Sequence, residues 1–215
     1  FNDGCGVSTI SRLARGHLAM LLTISGWLIG WLLLTRFVPS QNIEKFVITP
    51  SWHYSALAVL SVFTVLSITR LNAENRKIWA IMLMIGLMAS IVFLTQPHWP
   101  PSALLKDISL SLWTNDQSRW PTVGRFSLIA ALIGGMLIAA LHRKTFILVP
   151  VNLKGVAKHL AAGTLMGIGA AIASGGNDTQ LLLALPSFSP AGFVTVFFML
   201  VGIFVGRKLI LNQAD

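Results

Sequence analysis

The chain's single thiol, Cys5, stands between Gly4 and Gly6 and directly follows Asn2-Asp3. A second polar, glycine-rich stretch, Ser174-Gly175-Gly176-Asn177-Asp178, also carries an Asn-Asp pair. Each stretch adjoins an apolar run and leads into two or three turns of sequence able to form a helix. A helix that starts inside a membrane points free backbone N–H groups and partial positive charge at its surroundings. Such a start is a ready anion site. Gly4, Gly6, Gly175 and Gly176 let backbone approach a ligand closely, because they carry no side chain. Asn2 and Asn177 can both donate and accept hydrogen bonds. Two such starts facing one another would hold a small anion in transit. At a helix start a thiolate is favoured by the dipole. Sulfur is also soft, suited to contact or exchange with a sulfur atom in a substrate. A lone cysteine is more often a small buried residue; the two flanking glycines and the Asn-Asp pair favour a functional Cys5. Asp178 closes a long apolar run, and an intramembrane acid is a functional candidate. It also reads as the N-cap of the helix beginning Thr179-Gln180-Leu181, and that role is preferred to carrying a proton. The candidate substrate-binding residues are Asn2, Gly4, Cys5, Gly6, Gly175, Gly176, Asn177 and Asp178.

Long helices must position these stretches. Hydrophobic residues make up 54% of the 215 and charged residues 11%, with a mean hydropathy of +0.74. A soluble domain carries about 25% charged residues to face water, so a soluble globule and a disordered chain are both excluded. Six apolar runs stand out: Leu18–Leu34, Tyr54–Thr69, Ile78–Thr95, Phe126–Leu141, Val156–Ser174 and Ala191–Gly206. Each approaches the 17–25 residues or so that a membrane-spanning helix needs. If the first run crosses from side X to side Y, then X receives Arg70, Arg76, Lys77, Arg143, Lys144, Lys154, Lys158, Arg207 and Lys208. Side Y receives Arg36, Lys45, Lys106, Arg119 and Arg125, and nine against five places X in the cytoplasm. Arg12 and Arg15 lie on one helical face; they either attract an anion or snorkel to the cytoplasmic surface, and snorkelling is preferred. In the long Y-side connection, Ser102–Trp113 reads as a short interfacial helix. The expected architecture is all-α and multi-pass, a single transmembrane transport domain over residues 1–215. The chain begins at Phe1 without a methionine, and is expected to lack helices that precede the first motif.

The spacing also points to an internal repeat. Gly16, Gly26 and Gly30 recur 176 positions later as Gly192, Gly202 and Gly206, and the Asn-Asp pairs recur 175 apart. The first and sixth runs cross in opposite directions, so such a repeat is inverted. Inverted repeats with two broken, re-entrant helices are a transporter architecture. Gly26-x-x-x-Gly30, Gly163-x-x-x-Gly167 and Gly202-x-x-x-Gly206 are helix-packing motifs. The five histidines lack metal-ligand spacing, so no metal and no cofactor is expected. No phosphate loop, nucleophile elbow or catalytic triad is found, and no enzyme activity is expected. The basic residues punctuate apolar runs, as in membrane loops, which argues against nucleic-acid binding.

At these residues the sequence resembles a known family. Asn2-Asp3-Gly4-Cys5-Gly6-Val7-Ser8-Thr9-Ile10-Ser11-Arg12-Leu13-Ala14-Arg15-Gly16 resembles the cysteine-bearing motif of the YeeE/YedE family of bacterial sulfur-transport membrane proteins. The stretch from Gly163 through Ser174-Gly175-Gly176-Asn177-Asp178 to Leu183 resembles the family's second motif. The resemblance implies a multi-pass protein of the bacterial inner membrane that moves thiosulfate or a related sulfur compound inward. It also implies cysteines that hydrogen-bond the substrate, and membrane helices before the first motif. Cys5 alone carries over; the second motif reads Gly-Gly-Asn-Asp where thiosulfate-transporting members have a cysteine. The implied partners are the lipid bilayer, a small sulfur-containing anion and a cytoplasmic sulfur-carrier protein. The alternative kept open is a non-transporting membrane subunit that hands sulfur to a cytoplasmic thiol carrier or scaffolds one.

Overall fold

A computed structural model describes residues 5–37 and 50–211. They form nine α-helices: α1 (Gly6–Ala14), α2 (Ala19–Thr35), α3 (Pro50–Thr69), α4 (Ala73–Thr95), α5 (Pro101–Thr114), α6 (Val123–His142), α7 (Leu153–Ile172), α8 (Asn177–Thr179) and α9 (Pro190–Leu211). There is no strand among the described residues, only a lone bridge between His17 and Val149. Among the described residues, five helices are long and apolar enough to cross a membrane: Ser51–Thr69, Ala73–Thr95, Gln117–His142, Gly155–Ile172 and Pro190–Lys208. The protein is therefore an all-α, multi-pass membrane protein. The first apolar run of the sequence forms the shorter α2, whose 17 residues span about 26 Å at 1.5 Å per residue.

The chain falls into two compact units. One contains α3, α4 and α9. Its apolar side chains stay exposed, Val59, Phe63, Met82 and Phe198 among them, and α4 buries no residue. Surfaces of this kind belong in hydrocarbon, where helices satisfy their own backbone groups and lipid covers the side chains.

The other unit contains α1, α2, α5, α6, α7 and α8. Its centre is the crossing of α2 and α7. A Cβ added to Gly26 or Gly30 would run into the backbone carbonyls of Leu160 or Thr164, and one added to Gly163 or Gly167 into those of Thr23 or Trp27. The two Gly-x-x-x-Gly motifs thus face one another and bring two main chains into contact, with dispersion between small surfaces as the adhesive. Pairing rises together along both helices, so α2 and α7 run parallel, as the order of crossings requires. The third motif behaves differently. Nothing lies within 4 Å of a Cβ added at Gly202 or Gly206, so the glycines matched by spacing do not share a packing role. Trp27, Trp31, Leu105, Ala170 and Ala171 form the apolar core beside the crossing.

The helix expected at 102–113 is observed as α5, and it packs against α2. Ser102, Leu105 and Ser109 form a buried stripe. Leu105 joins the Trp27–Trp31 core, Ser109 Oγ donates to Thr35 Oγ1 at 2.9 Å, and the Trp113 indole N–H donates to the Leu32 carbonyl. The helix therefore lies along the second half of α2. Small serines permit that approach, and their hydroxyls find partners on the elements they pack against. Arg125 at the start of α6 is buried and pairs with Asp107 of α5 at 2.7 Å.

Candidate functional site

Cys5 is the N-cap of α1, in extended conformation. Its carbonyl accepts from the Thr9 N–H at 2.9 Å, the Ser8 hydroxyl at 2.9 Å and the Thr9 hydroxyl at 3.0 Å. Its side chain makes no capping bond and is exposed. The backbone of Cys5 is thus fixed while its sulfur is uncommitted to the helix. α1 ends at Gly16, whose φ of +98° suits a residue without Cβ. The Gly16 N–H donates to Leu13 and the His17 N–H to Arg12, which closes the last turn. Ile147–Val149 then satisfies the exposed backbone: Ile147 N–H donates to Arg15, Val149 N–H to Gly16, and Leu18 N–H to Val149.

From that turn α2 returns alongside α1. A Cβ on Gly6 would meet the Trp27 ring at 2.7 Å, and Trp27 is the ninth residue of the 17 in α2. The Cys5 end of α1 therefore lies level with the middle of α2.

The second motif comes to the same place. α7 ends on Ser174, at φ +58°, with the Ser174 N–H donating to Ala171 and the Gly175 N–H to Ala170. The Gln180 side-chain amide donates back to the Ala173 carbonyl at 2.8 Å. Gly176, extended, is the N-cap of α8, which continues as a π-turn over Gln180–Ala184. The Cβ position of Gly6 lies 3.4 Å from Asn177 Oδ1, so the starts of α1 and α8 are neighbours.

A third helix start joins them, that of the helix expected at 102–113, whose place beside the two motifs sequence reasoning missed. The Ser102 N–H at the start of α5 donates to Asp178 Oδ2 at 2.9 Å, and Ser102 Oγ lies 2.7 Å from Thr179 Oγ1. This corrects the reading of Asp178. It is buried and does cap a helix, but the helix is α5, 76 positions away in sequence; its own helix is capped by Gly176. Asp178 Oδ1 is buried and has no hydrogen-bond partner among the described residues. Ser102 directly after Pro100-Pro101 was the signal available, since proline favours the first helical turn.

Of the candidate residues, the fold brings Gly6, Gly176, Asn177 and Asp178 together, with Cys5 at the edge and Gly175 buried behind Thr179. Asn2 and Gly4 lie outside the described residues, as does Lys45 of the charge count. The starts of α1, α5 and α8 meet here around the Asp178 carboxylate, and the N–H groups in the first turn of α1 favour a further negative charge.

Arg12, in the last turn of α1, lines a cavity of about 300 Å³ at the opposite end of that helix, with His17, Asn152, Gly155, Lys158 and His159. Arg12 thus faces a cavity, where the sequence reading preferred snorkelling. Arg15 is exposed.

Residues 40–205 match the model of a protein family described as Sulphur transport. The matched stretch contains Gly175–Asp178 and begins after Cys5. No curated protein and no solved structure matches the chain.

Proposed function

Because the chain belongs to the YeeE/YedE sulphur transport family, we propose that it carries a small sulfur-containing anion, thiosulfate or a close relative, into the cytoplasm through the three helix starts. The observation that supports this most is the proximity of Gly6 to Asn177, whose Oδ1 lies 3.4 Å from where a Gly6 Cβ would stand, which brings motifs from opposite ends of the chain together beside an uncommitted thiol. The anion is held by the N–H groups at the starts of α1 and α8 and by the Asn177 amide. The Cys5 thiol touches its sulfur and discriminates it from sulfur-free anions. Asp178 ties the start of α5 to α8 by accepting the Ser102 N–H. In this reading the inner membrane is the site of action, α1 and α8 are the two re-entrant helices, and the chain serves as one transport domain.

Uptake of labelled thiosulfate into vesicles containing the full-length protein tests this, with sulfate and nitrate as competitors. Saturable uptake inhibited by sulfur anions and not by nitrate is expected. Absence of uptake, together with a persulfide found on Cys5, would instead favour the reading in which the protein hands sulfur to a cytoplasmic carrier.

A further inference from the structure

The cavity at the far end of α1 has no part in the site above, yet its lining is chemically one-sided. Arg12, His17, Lys158 and His159 line it, apolar residues such as Met20 and Val149 form the rest of the wall with Asn152 and Gly155, and no acidic residue lines it. Three separate elements supply these groups: the last turn of α1, the turn into α2, and the first two turns of α7. The β-bridge between His17 and Val149 holds two of the walls together. Lys158 is exposed and has no ion-pair partner among the described residues. At about 300 Å³ the cavity sits at the small end of ligand pockets, roughly 300–1,000 Å³.

The backbone adds to this field. The start of α7 contributes partial positive charge, while the C-terminal end of α1 contributes partial negative charge that Arg12 offsets. An anion leaving the Cys5 end of α1 would otherwise travel toward a negative helix end. Cys5 and Arg12 are seven positions apart, about 10 Å along a helix, so the cavity lies one short step beyond the first site.

We propose that this cavity is a second anion-binding site, which takes a small tetrahedral oxyanion such as thiosulfate or sulfate on the cytoplasmic side of the path. The assignment of the occupant rests on the transport reading above; the cavity and its charge do not. Two basic side chains from α7 and two from the α1–α2 segment can surround a compact dianion, and the polar Asn152 supplies a hydrogen bond without charge. A phospholipid headgroup offers the same phosphate-like chemistry, and the test separates the two sources.

The test is amine modification of Lys158 in the purified full-length protein in detergent, read by mass spectrometry, with and without thiosulfate or sulfate. At about ten times the dissociation constant, mass action leaves roughly one site in ten empty, so modification of Lys158 is expected to slow about tenfold. Chloride at equal ionic strength is expected to protect far less. The Cys5→Ala protein is expected to keep this protection, even though it loses uptake. A Lys158 rate unchanged by either dianion, or slowed equally by chloride, overturns the proposal. Protection by anionic-lipid nanodiscs and not by the free dianions overturns it in favour of a headgroup site. Full protection combined with undiminished uptake by Cys5→Ala leaves the cavity standing and removes the first site instead.

Discussion

Replacing Gly167 with alanine tests the contact from which the site is built. The added Cβ would collide with the Trp27 carbonyl of α2 and come 2.8 Å from Gly30 Cα. Both obstacles are main chain of a helix, so no side chain can rotate away, and the helices must separate. Overpacking of this kind costs about 1–3 kcal/mol. The upper part of that range applies because separation also loosens the Trp27, Trp31 and Ala170 packing beside it. At roughly 2–4 °C per kcal/mol for a chain of this size, the midpoint of thermal unfolding in detergent should fall by about 5–10 °C. Tryptophan fluorescence reports it, since Trp27 and Trp31 are both buried at the crossing. Gly202→Ala is the matched control. Nothing lies within 4 Å of its new Cβ, so it should fall within about 0.5 kcal/mol of the wild type. Equal midpoints for Gly167→Ala and Gly202→Ala would refute the close crossing.

Three further outcomes follow from the same geometry. Asp178→Ala leaves the buried Ser102 N–H without its acceptor and should destabilise the fold by about 1–3 kcal/mol; Asp178→Asn keeps an acceptor and should recover most of it, which chemical denaturation in detergent will show. Gly16→Ala combines a positive φ of +98° with a Cβ 2.5 Å from the Ile147 carbonyl, so a loss of about 2–4 kcal/mol and reduced membrane abundance on immunoblots are expected. A cysteine at Trp113 in a Cys5→Ala background should react with an impermeant maleimide from the outer side, as the nine-to-five charge split requires; labelling solely from the cytoplasm would reverse the orientation.

The sequence made the long helices legible because membrane burial needs only composition and length. Ile78–Thr95 falls inside α4, and Ala191–Gly206 inside α9. The helix starts at Gly6 and Asn177 were legible too, since polar, glycine-rich residues interrupt apolar runs there. The helix α5 was legible, but its packing was not, because its buried stripe is Ser102, Leu105 and Ser109, which hydropathy scores as a polar surface. What those serines meet, Thr179 and Thr35, is more than 70 positions away and leaves no local trace. Asp178 illustrates the same limit: a capping residue is visible in sequence, whereas the helix it caps is decided by tertiary packing. Spacing likewise cannot distinguish Gly26, jammed against a backbone, from Gly202, open on its side. The cationic cavity escaped notice because Arg12 and Lys158 are brought together only through the α2–α7 crossing.

The central claim is that Cys5 touches substrate sulfur at the start of α1, and uptake by Cys5→Ser tests it most directly. Serine keeps a hydrogen-bonding group of similar size at an exposed position and leaves the Cys5 carbonyl bonds intact. It loses the polarisable sulfur atom. Membrane abundance should match the wild type, while the initial rate of labelled thiosulfate uptake into vesicles should fall at least about tenfold, equivalent to roughly 1.4 kcal/mol. Uptake at the wild-type rate by Cys5→Ser would contradict the sulfur contact and leave the anion to the helix starts alone.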